Sequence, residues 1–498
     1  MWVAVAVVPR LGEAAVYQGT VTAYSADSRE LTMDVTRGNA SRTFVLTETA
    51  VVLEGTKKSS ADQLGPGQTV TVTTNPKNEA TRVVIRGGSA PARTQARGGD
   101  DAGEAGGSLP GEWPQYRGPR RDNKSAETGL LKSWPDGGPQ LAMTIEGLGE
   151  AYSSVAIVGK RLYTMGNRGN EEYLLAYDLE TGNEVWATRS GDAYREGQGN
   201  GPRGTPVVDG TRVYALGANG DLICAEADSG KPVWQGNILR EFGGDNIVWG
   251  ISETPLIDGN QLVCTPGGRG GTVVALDKSS GKLVWKAQVP GDPQAAYSSA
   301  IAATIGGVRQ YVNFVHTGLV GIEAATGRVL WGDRTSANGT ANCSSAIAVQ
   351  DVVFSSTGYG TGGALVRVSG SPRGMQASVV YATKEMQNHH GGMVELDGYL
   401  YGSSDPGVLR CLDLKTGNVV WQNRSVGKGS LTYADGHLYV RSESGPVALV
   451  EASPKAYVEK GRFDQPQRSN RPAWSHPVVA GGKLYLRDQD KLLIYDVK

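Results

Sequence analysis

The sequence predicts an all-β protein, an eight-bladed β-propeller preceded by a small β-barrel. Two repeats and one break in composition carry that prediction. The first repeat is AYDLETGNEVW, Ala176 to Trp186, which returns as CAEADSGKPVW ending at Trp234, ALDKSSGKLVW ending at Trp285, GIEAATGRVLW ending at Trp331 and CLDLKTGNVVW ending at Trp421. The second is a strand start that recurs upstream of the hairpins. The break is a run of Gly, Ala and charge, residues 89–112, that separates the repeats from an N-terminal stretch of short alternating runs.

Each copy of the first repeat has a small residue, an acid two positions on, Thr or Ser before Gly, and Trp four residues after that Gly. Acid, hydroxyl and glycine supply local side-chain bonds and a permissive backbone for a tight turn. The flanking apolar residues alternate as strands do. The Trp is then placed to close over the neighbouring unit. Trp-to-Trp spacings of 48, 51, 46 and 90 residues, the last covering two units of which one is degenerate, fit four-stranded blades.

The second repeat sets the count. YSSVAIVGKRLY from Tyr152, RGTPVVDGTRVY from Arg203, SETPLIDGNQLV from Ser252, CSSAIAVQDVVF from Cys343, HGGMVELDGYLY from His390, KGSLTYADGHLY from Lys428 and WSHPVVAGGKLY from Trp474 superimpose without gaps. An eighth, from Tyr297, carries a small insertion. Eight first strands imply eight blades.

Residues 16–88 read as a separate small β-barrel, with short β-like runs broken by turn signals at Asp27-Ser28, Arg37-Gly38-Asn39 and Gly65-Pro66-Gly67. Its ADQLGPGQTVTV segment, Ala61 to Val72, resembles small OB-like domains appended to bacterial envelope proteins; its aromatic residues, Tyr17, Tyr24 and Phe44, are few for stacking bases, so a structural or docking role is expected. Residues 89–112 are too poor in large apolar side chains to fold and read as a flexible linker. Residues 1–15 read either as the remnant of an export signal or as a first strand. From Trp113 to Pro139 runs a lead-in with few strand signals. Leu141 to Ile145 then reads as a lone strand, and it is expected to complete the last blade, which ends at Lys498 one strand short.

Composition narrows the function classes. Forty-nine basic against 50 acidic residues give a formal net charge of -1 and no general electrostatic reason to bind nucleic acid or an acidic membrane. No apolar run approaches the roughly 20 residues of a membrane span. The four cysteines show no zinc or redox spacing, and Cys224 and Cys411 fall where other repeats have Ala or Gly, as small core residues. There is no Gly-x-Ser-x-Gly, P-loop or HExxH motif, and GGRGG at Gly267 to Gly271 reads as a turn.

The Ala/Cys-x-Asp/Glu-x-x-Thr/Ser-Gly-x-x-x-Trp hairpins with Ser-Ser or Thr-Pro strand starts resemble the pyrroloquinoline quinone (PQQ) repeat superfamily over residues 113 to 498. Its members include quinoprotein alcohol dehydrogenases and the BamB lipoprotein of outer-membrane assembly. The lead-in and MQNHHGGM, Met386 to Met393, are similar to PQQ-like propellers from planctomycete-type bacteria. The resemblance implies export to the periplasm or cell envelope. It does not by itself imply chemistry, since one fold hosts enzymes and scaffolds alike.

Candidate site residues come from the loops entering the first strands, which a propeller gathers at one mouth. Tyr152, Arg203, Trp249, Glu253, Tyr297, Asn342, His390, Lys428, Trp474 and His476 are expected to converge there with His389, and Arg195, Asn246 and Asn388 to lie nearby. A PQQ site needs an aromatic floor, a cation for carboxylates, oxygen ligands for calcium and a carboxylate base. Trp249 or Trp474, Arg203 and Lys428, and Glu253 and Asn342 are the candidates for the first three; clustering of Trp249, Arg203 and Glu253 would favour a dehydrogenase. The adjacent Cys-Cys pair of quinoprotein alcohol dehydrogenases is absent and their Asp base has no match. His389 and His390 are expected to be hydrogen-bonded structural residues and not metal ligands, with His437 solvated in a turn and His316 on an inner strand. The sequence thus favours a monomeric, non-catalytic propeller that binds a protein or small-molecule ligand at its mouth, with no cofactor. The rivals are a PQQ- and calcium-dependent alcohol or sugar dehydrogenase, and a glycan-binding propeller using Tyr152, Tyr297 and Trp474.

Overall fold

The computed structural model describes residues 16–25, 29–35, 41–54, 57–59, 64, 69–77, 79–87, 111–371 and 374–498. Residues 1–15, read above as a signal remnant or first strand, and nearly all of the expected linker lie outside the described residues. The chain divides into two compact units, one on either side of residue 98.

In the first unit, strands Val16–Ser25, Glu30–Val35, Ser41–Glu54, Lys57–Ser59, Thr69–Thr74 and Ala80–Gly87 form one sheet. The second strand pairs with both the first and the third, and the third pairs parallel with Ala80–Gly87, so the sheet closes on itself. Alternation places Leu31, Met33, Phe44, Val70, Val72 and Val83 inside. Phe44 is buried, which removes it as a base-stacking surface.

In the second unit the described residues form eight sheets, each with four antiparallel strands. The first sheet runs Ala156–Val158, Arg161–Arg168, Glu171–Asp178 and Glu184–Asp192. The other sheets begin at Val207–Asp209, Leu256–Asp258, Ile301–Ile305, Ile347–Val349, Val394–Leu396, Gly429–Ala434 and Val478–Ala480. The eighth has only three strands from the C-terminal stretch and takes its fourth from Leu141–Ile145, which pairs antiparallel with Lys491–Asp496. An exposed sheet edge is thereby removed. One short helix, Ile238–Phe242, links the second and third sheets.

Ser and Thr hydroxyls, most of them at the strand starts, and one backbone bond join each sheet to the next. Thr205 N donates to Thr254 Oγ1 (3.0 Å), Thr254 N to Ser299 Oγ (2.9 Å) and Ser299 N to Ser345 Oγ (3.2 Å). Ser344 Oγ donates to Asn388 O, Gly429 N to Ser403 Oγ and Thr432 Oγ1 to Pro477 O. Ser154 Oγ on the first sheet donates to His476 O on the last (3.0 Å), and Tyr152 N to Pro202 O on the second (2.9 Å). The circle is closed. These hydroxyls satisfy backbone groups that tapering first strands cannot pair within their own ladder.

The repeated Trp locks the outer part of each junction. Trp186, Trp234, Trp285 and Trp421 donate their indole N–H to Ala227, Lys278, Ala324 and Ser453 carbonyls in the next sheet. For the first three the ring lies against the turn glycine of that sheet. Gly230 has φ +70°, and a Cβ there would meet Trp186 at 2.5 Å, so both conformation and space require glycine. The acid of the motif organises the turn: Asp178 Oδ1 accepts from Thr181 N (3.0 Å) and Thr181 Oγ1 (3.1 Å). Trp331 departs from the rule and bonds Gln310 in its own sheet (2.6 Å), because the next sheet carries the long hairpin Gly362–Ser371 and Gly374–Thr383 instead of the motif. At the far end of that degenerate unit Tyr381 takes the place of Trp, donating to Leu414 O (2.7 Å) against Gly417.

The eighth sheet has Met143 at this register, opposite Ile494. A groove of about 480 Å³ remains there, lined by Met143, Ile157, Leu179, Tyr485 and Ile494. Leu179 O stands where the other junctions offer their acceptor. Met143→Trp is therefore expected to raise stability by about 1–2 kcal/mol, the usual yield of filling a packing defect. Urea unfolding of the full chain measures it; a lowered midpoint would mean that the groove cannot take the ring.

Candidate functional site

The first strands run from one end of the channel to the other, and the two ends differ. At the far end the lead-in crosses the channel. Trp113 bridges to Ile157, Val208 N donates to Pro114 O, and Arg121 donates to Thr254 O (2.6 Å) and Pro255 O (2.9 Å). Lys124–Ser125 pairs parallel with the seventh sheet, and Ser125 Oγ donates to Val479 O (2.8 Å) on the eighth. Arg117 reaches Met393 O of the sixth sheet (3.0 Å). A segment with few strand signals thus covers this end by side-chain and backbone bonds to six sheets.

The other end opens into a cavity of about 530 Å³. Of the residues that the sequence directed to it, Tyr152, Arg203, Trp249, Tyr297, His389, His390, Lys428, Trp474 and His476 line it. Glu253 and Asn342 do not. Glu253 is buried behind the wall, where it accepts from Thr265 N (2.7 Å) and Thr265 Oγ1 (2.9 Å); burial pushes its carboxyl up to about 7. Asn342 is spent on the backbone, donating to His316 O (2.8 Å) and accepting from Asn338 N (2.9 Å). Asn388 is likewise buried, bonded to Ser344 Oγ and Ser403 O, while Asn246 holds Ala218 O and Arg195 holds Gly169 O. His437 is buried at the start of its strand, not solvated, and His316 is exposed in a turn, not on an inner strand.

The lining also includes Tyr116, Tyr359, Cys343, Gln198 and Glu443, which the loop argument passed over. Tyr359 and Glu443, with Asp405 close by, sit in turns between second and third strands. Each first strand leads away from the mouth and the second returns, so these turns open on the same side. Strand alternation alone would have placed them there. Tyr116 comes from the lead-in and has no periodic signal; its ring lies 5.2 Å from His476.

The two histidines lie in a loop with rings stacked at 4.8 Å and 13°, not on opposite faces of a strand. His389 sits between Asp405 Oδ2 (3.2 Å), Tyr359 Oη (3.0 Å) and Lys428 Nζ (2.7 Å). His390 Nε2 lies 2.8 Å from Glu443 Oε2, which also accepts from Trp474 Nε1 (3.2 Å). Burial lowers His390, so at neutral pH an uncharged ring donates to the carboxylate. Burial alone would raise Glu443, but the His390 and Trp474 bonds and the Lys428 charge outweigh it and bring it to about 2. Burial pushes His476 down to about 4, and its Nε2 meets His390 O at 2.8 Å. Asp405 is held below the usual carboxylate range: burial works against this, and the His389 bond and Lys428 overcome it. Burial pushes the Cys343 thiol up to about 12. On the opposite wall Arg203 pairs with Glu196 (3.1 Å) and lies over the rings of Tyr194 (4.6 Å) and Tyr152 (5.6 Å).

These residues do not fit calcium-bound PQQ. Trp249 and Arg203 share the cavity, but Glu253 does not join them. Both oxygen ligands proposed from sequence lie off it, Glu443 is its only lining carboxylate among the described residues, and Cys343 is its only lining thiol. No group of three or more His, Cys, Asp and Glu side chains among the described residues is placed to hold a metal.

Fold and site together define a propeller of the PQQ-repeat class. The chain belongs to the family described as outer membrane protein assembly factor BamB, whose model matches residues 170–423 and 407–496. It is 25% identical over 352 residues to the BamB of Burkholderia pseudomallei (strain K96243), covering 69% of this chain and 84% of that protein. Among solved structures it is similar to BamB from Moraxella catarrhalis, with a TM-score of 0.51 and 14% identity over 72% of this chain and 99% of that one. It is also similar to the quinohemoprotein alcohol dehydrogenase of Comamonas testosteroni, with a TM-score of 0.54 and 13% identity over 78% and 80%. Likeness at such identities speaks for the fold alone.

Proposed function

We propose that this protein is a non-catalytic, eight-bladed scaffold of the bacterial cell envelope, with an OB-like docking barrel at its N-terminus, that binds a ligand or partner segment in its mouth cavity. The observation that carries this reading is the state of the ionisable groups there. Glu443 at about 2 is too weak a base to take a proton near pH 7, His476 at about 4 is uncharged and bonded, and Cys343 at about 12 is no nucleophile. The cavity is built to hold: Glu443 is bonded by His390 and Trp474, Asp405 by His389, and His476 Nε2 meets the His390 carbonyl. The names of the family and of its relatives support work in outer membrane protein assembly, and the reading takes the chain as a monomer beside an unidentified partner protein. No helix among the described residues is long and apolar enough to cross a membrane.

Calorimetric titration of the full chain with PQQ and calcium tests the non-catalytic reading. The expected result is no saturable heat. One-to-one binding that is lost in Arg203→Ala would overturn it in favour of a dehydrogenase.

A further inference from the structure

We infer that the mouth cavity takes an uncharged, hydroxyl-rich ligand of the size of a disaccharide; this rests on reading the mouth as a ligand-binding cavity. Aromatic rings stand on several sides of it. Tyr152 and Trp474 lie 4.6 Å apart at 36°, Trp249 and Tyr297 5.5 Å apart at 43°, and Tyr359 lies 4.6 Å from His389 at 59°. Aromatic faces carry negative charge density and attract weakly positive C–H groups. Tilted rings on separate walls suit a puckered ring with C–H bonds on both faces.

Charge points the same way. Arg203 is paired with Glu196 and Lys428 with Asp405, and the ionised Glu443 is held by two N–H donors from uncharged rings. An anionic ligand would meet Glu443, and a cation would meet Arg203 and Lys428. A neutral ligand meets no like charge. For hydroxyl groups the wall offers the Glu443 carboxylate as acceptor, the Tyr297 hydroxyl and the Lys428 ammonium, so a hydroxyl-rich molecule can exchange its water bonds for fixed partners. A cavity of about 530 Å³ encloses a drug-sized molecule, and a disaccharide is of that size.

The test is titration of the full chain with maltose, cellobiose and N,N′-diacetylchitobiose, followed by tryptophan fluorescence and calorimetry. At least one is expected to saturate the signal, with affinity changed less than about twofold by added salt, since no net charge is neutralised. Trp474→Ala and Trp249→Ala are each expected to weaken it by about tenfold or more at unchanged circular dichroism; if one does not fold, the other and Tyr359→Ala carry the test. Saturation by none of the three sugars, or binding that survives in these variants, overturns the inference. Failure of the sugars with no PQQ binding removes only the sugar; PQQ binding removes the non-catalytic reading as well.

Discussion

Replacing Trp134 with alanine lowers the stability of the propeller unit by about 3–5 kcal/mol, the range for removing a buried aromatic ring. The seventh sheet has no repeat Trp. At that register, opposite Leu449, stands Gly461 with φ +150°, and a Cβ there would meet Trp134 Cβ at 2.6 Å. The lead-in therefore supplies from outside the repeat the ring that the first six sheets carry on their fourth strands. Trp134 lies edge-on to Phe463 (5.5 Å, 63°) and 5.8 Å from Tyr439, within a core shared by the seventh and eighth sheets. Its backbone N–H donates to Lys460 O (2.8 Å), so ring and strap are fixed together. Urea unfolding measures the loss, and a change below about 1 kcal/mol would show the lead-in to be an accessory to the fold.

The second large effect is expected at the seam where the chain's last sheet meets its first. Arg487 is fully buried and, among the described residues, bonds no carboxylate. Its guanidinium donates to Thr164 Oγ1, Met165 O (2.6 Å), Gly149 O (3.0 Å), Leu148 O (3.4 Å) and Gln489 O (3.0 Å). Burial pushes its pKa down to about 9, which leaves it charged at neutral pH. Arg487→Met keeps much of the volume but leaves these carbonyls without a donor, at about 1–3 kcal/mol each where no water can enter. A loss of at least about 4 kcal/mol is expected, with hydrogen exchange rising first in Leu141–Ile145. Uniform exchange across all sheets would contradict a seam-specific role.

Much of this fold was legible because its repeats are local chemistry. Asp, Thr and Gly make their turn within four residues, and the Trp that follows has one acceptor to find in the next sheet. The Ser-Ser and Thr-Pro starts were legible as a pattern, although their purpose, bonding between sheets, needed the third dimension. Tyr381, Met143 and Gly461 hid the repeat because each junction can be filled differently: by another ring, incompletely, or from the lead-in. At the site, loops entering the first strands pointed to the mouth correctly for Tyr152, Arg203 and Trp474. They misled for Glu253 and Asn342, whose side chains turn into the wall to satisfy Thr265 and the His316 carbonyl. Tyr359 and Glu443 were missed for want of following each strand back to the mouth. Tyr116 was not legible, since nothing in the lead-in sequence says how far it enters the channel.

The measurement that tests the central claim most directly is a dye-linked turnover assay of the full chain, supplied with PQQ and calcium, against primary alcohols and against glucose, maltose and cellobiose. A cavity whose one lining carboxylate among the described residues, Glu443, is bonded by His390 and Trp474 and held at about 2 predicts no dye reduction above that of buffer with PQQ and calcium. Substrate-dependent reduction that disappears in Arg203→Ala would contradict it.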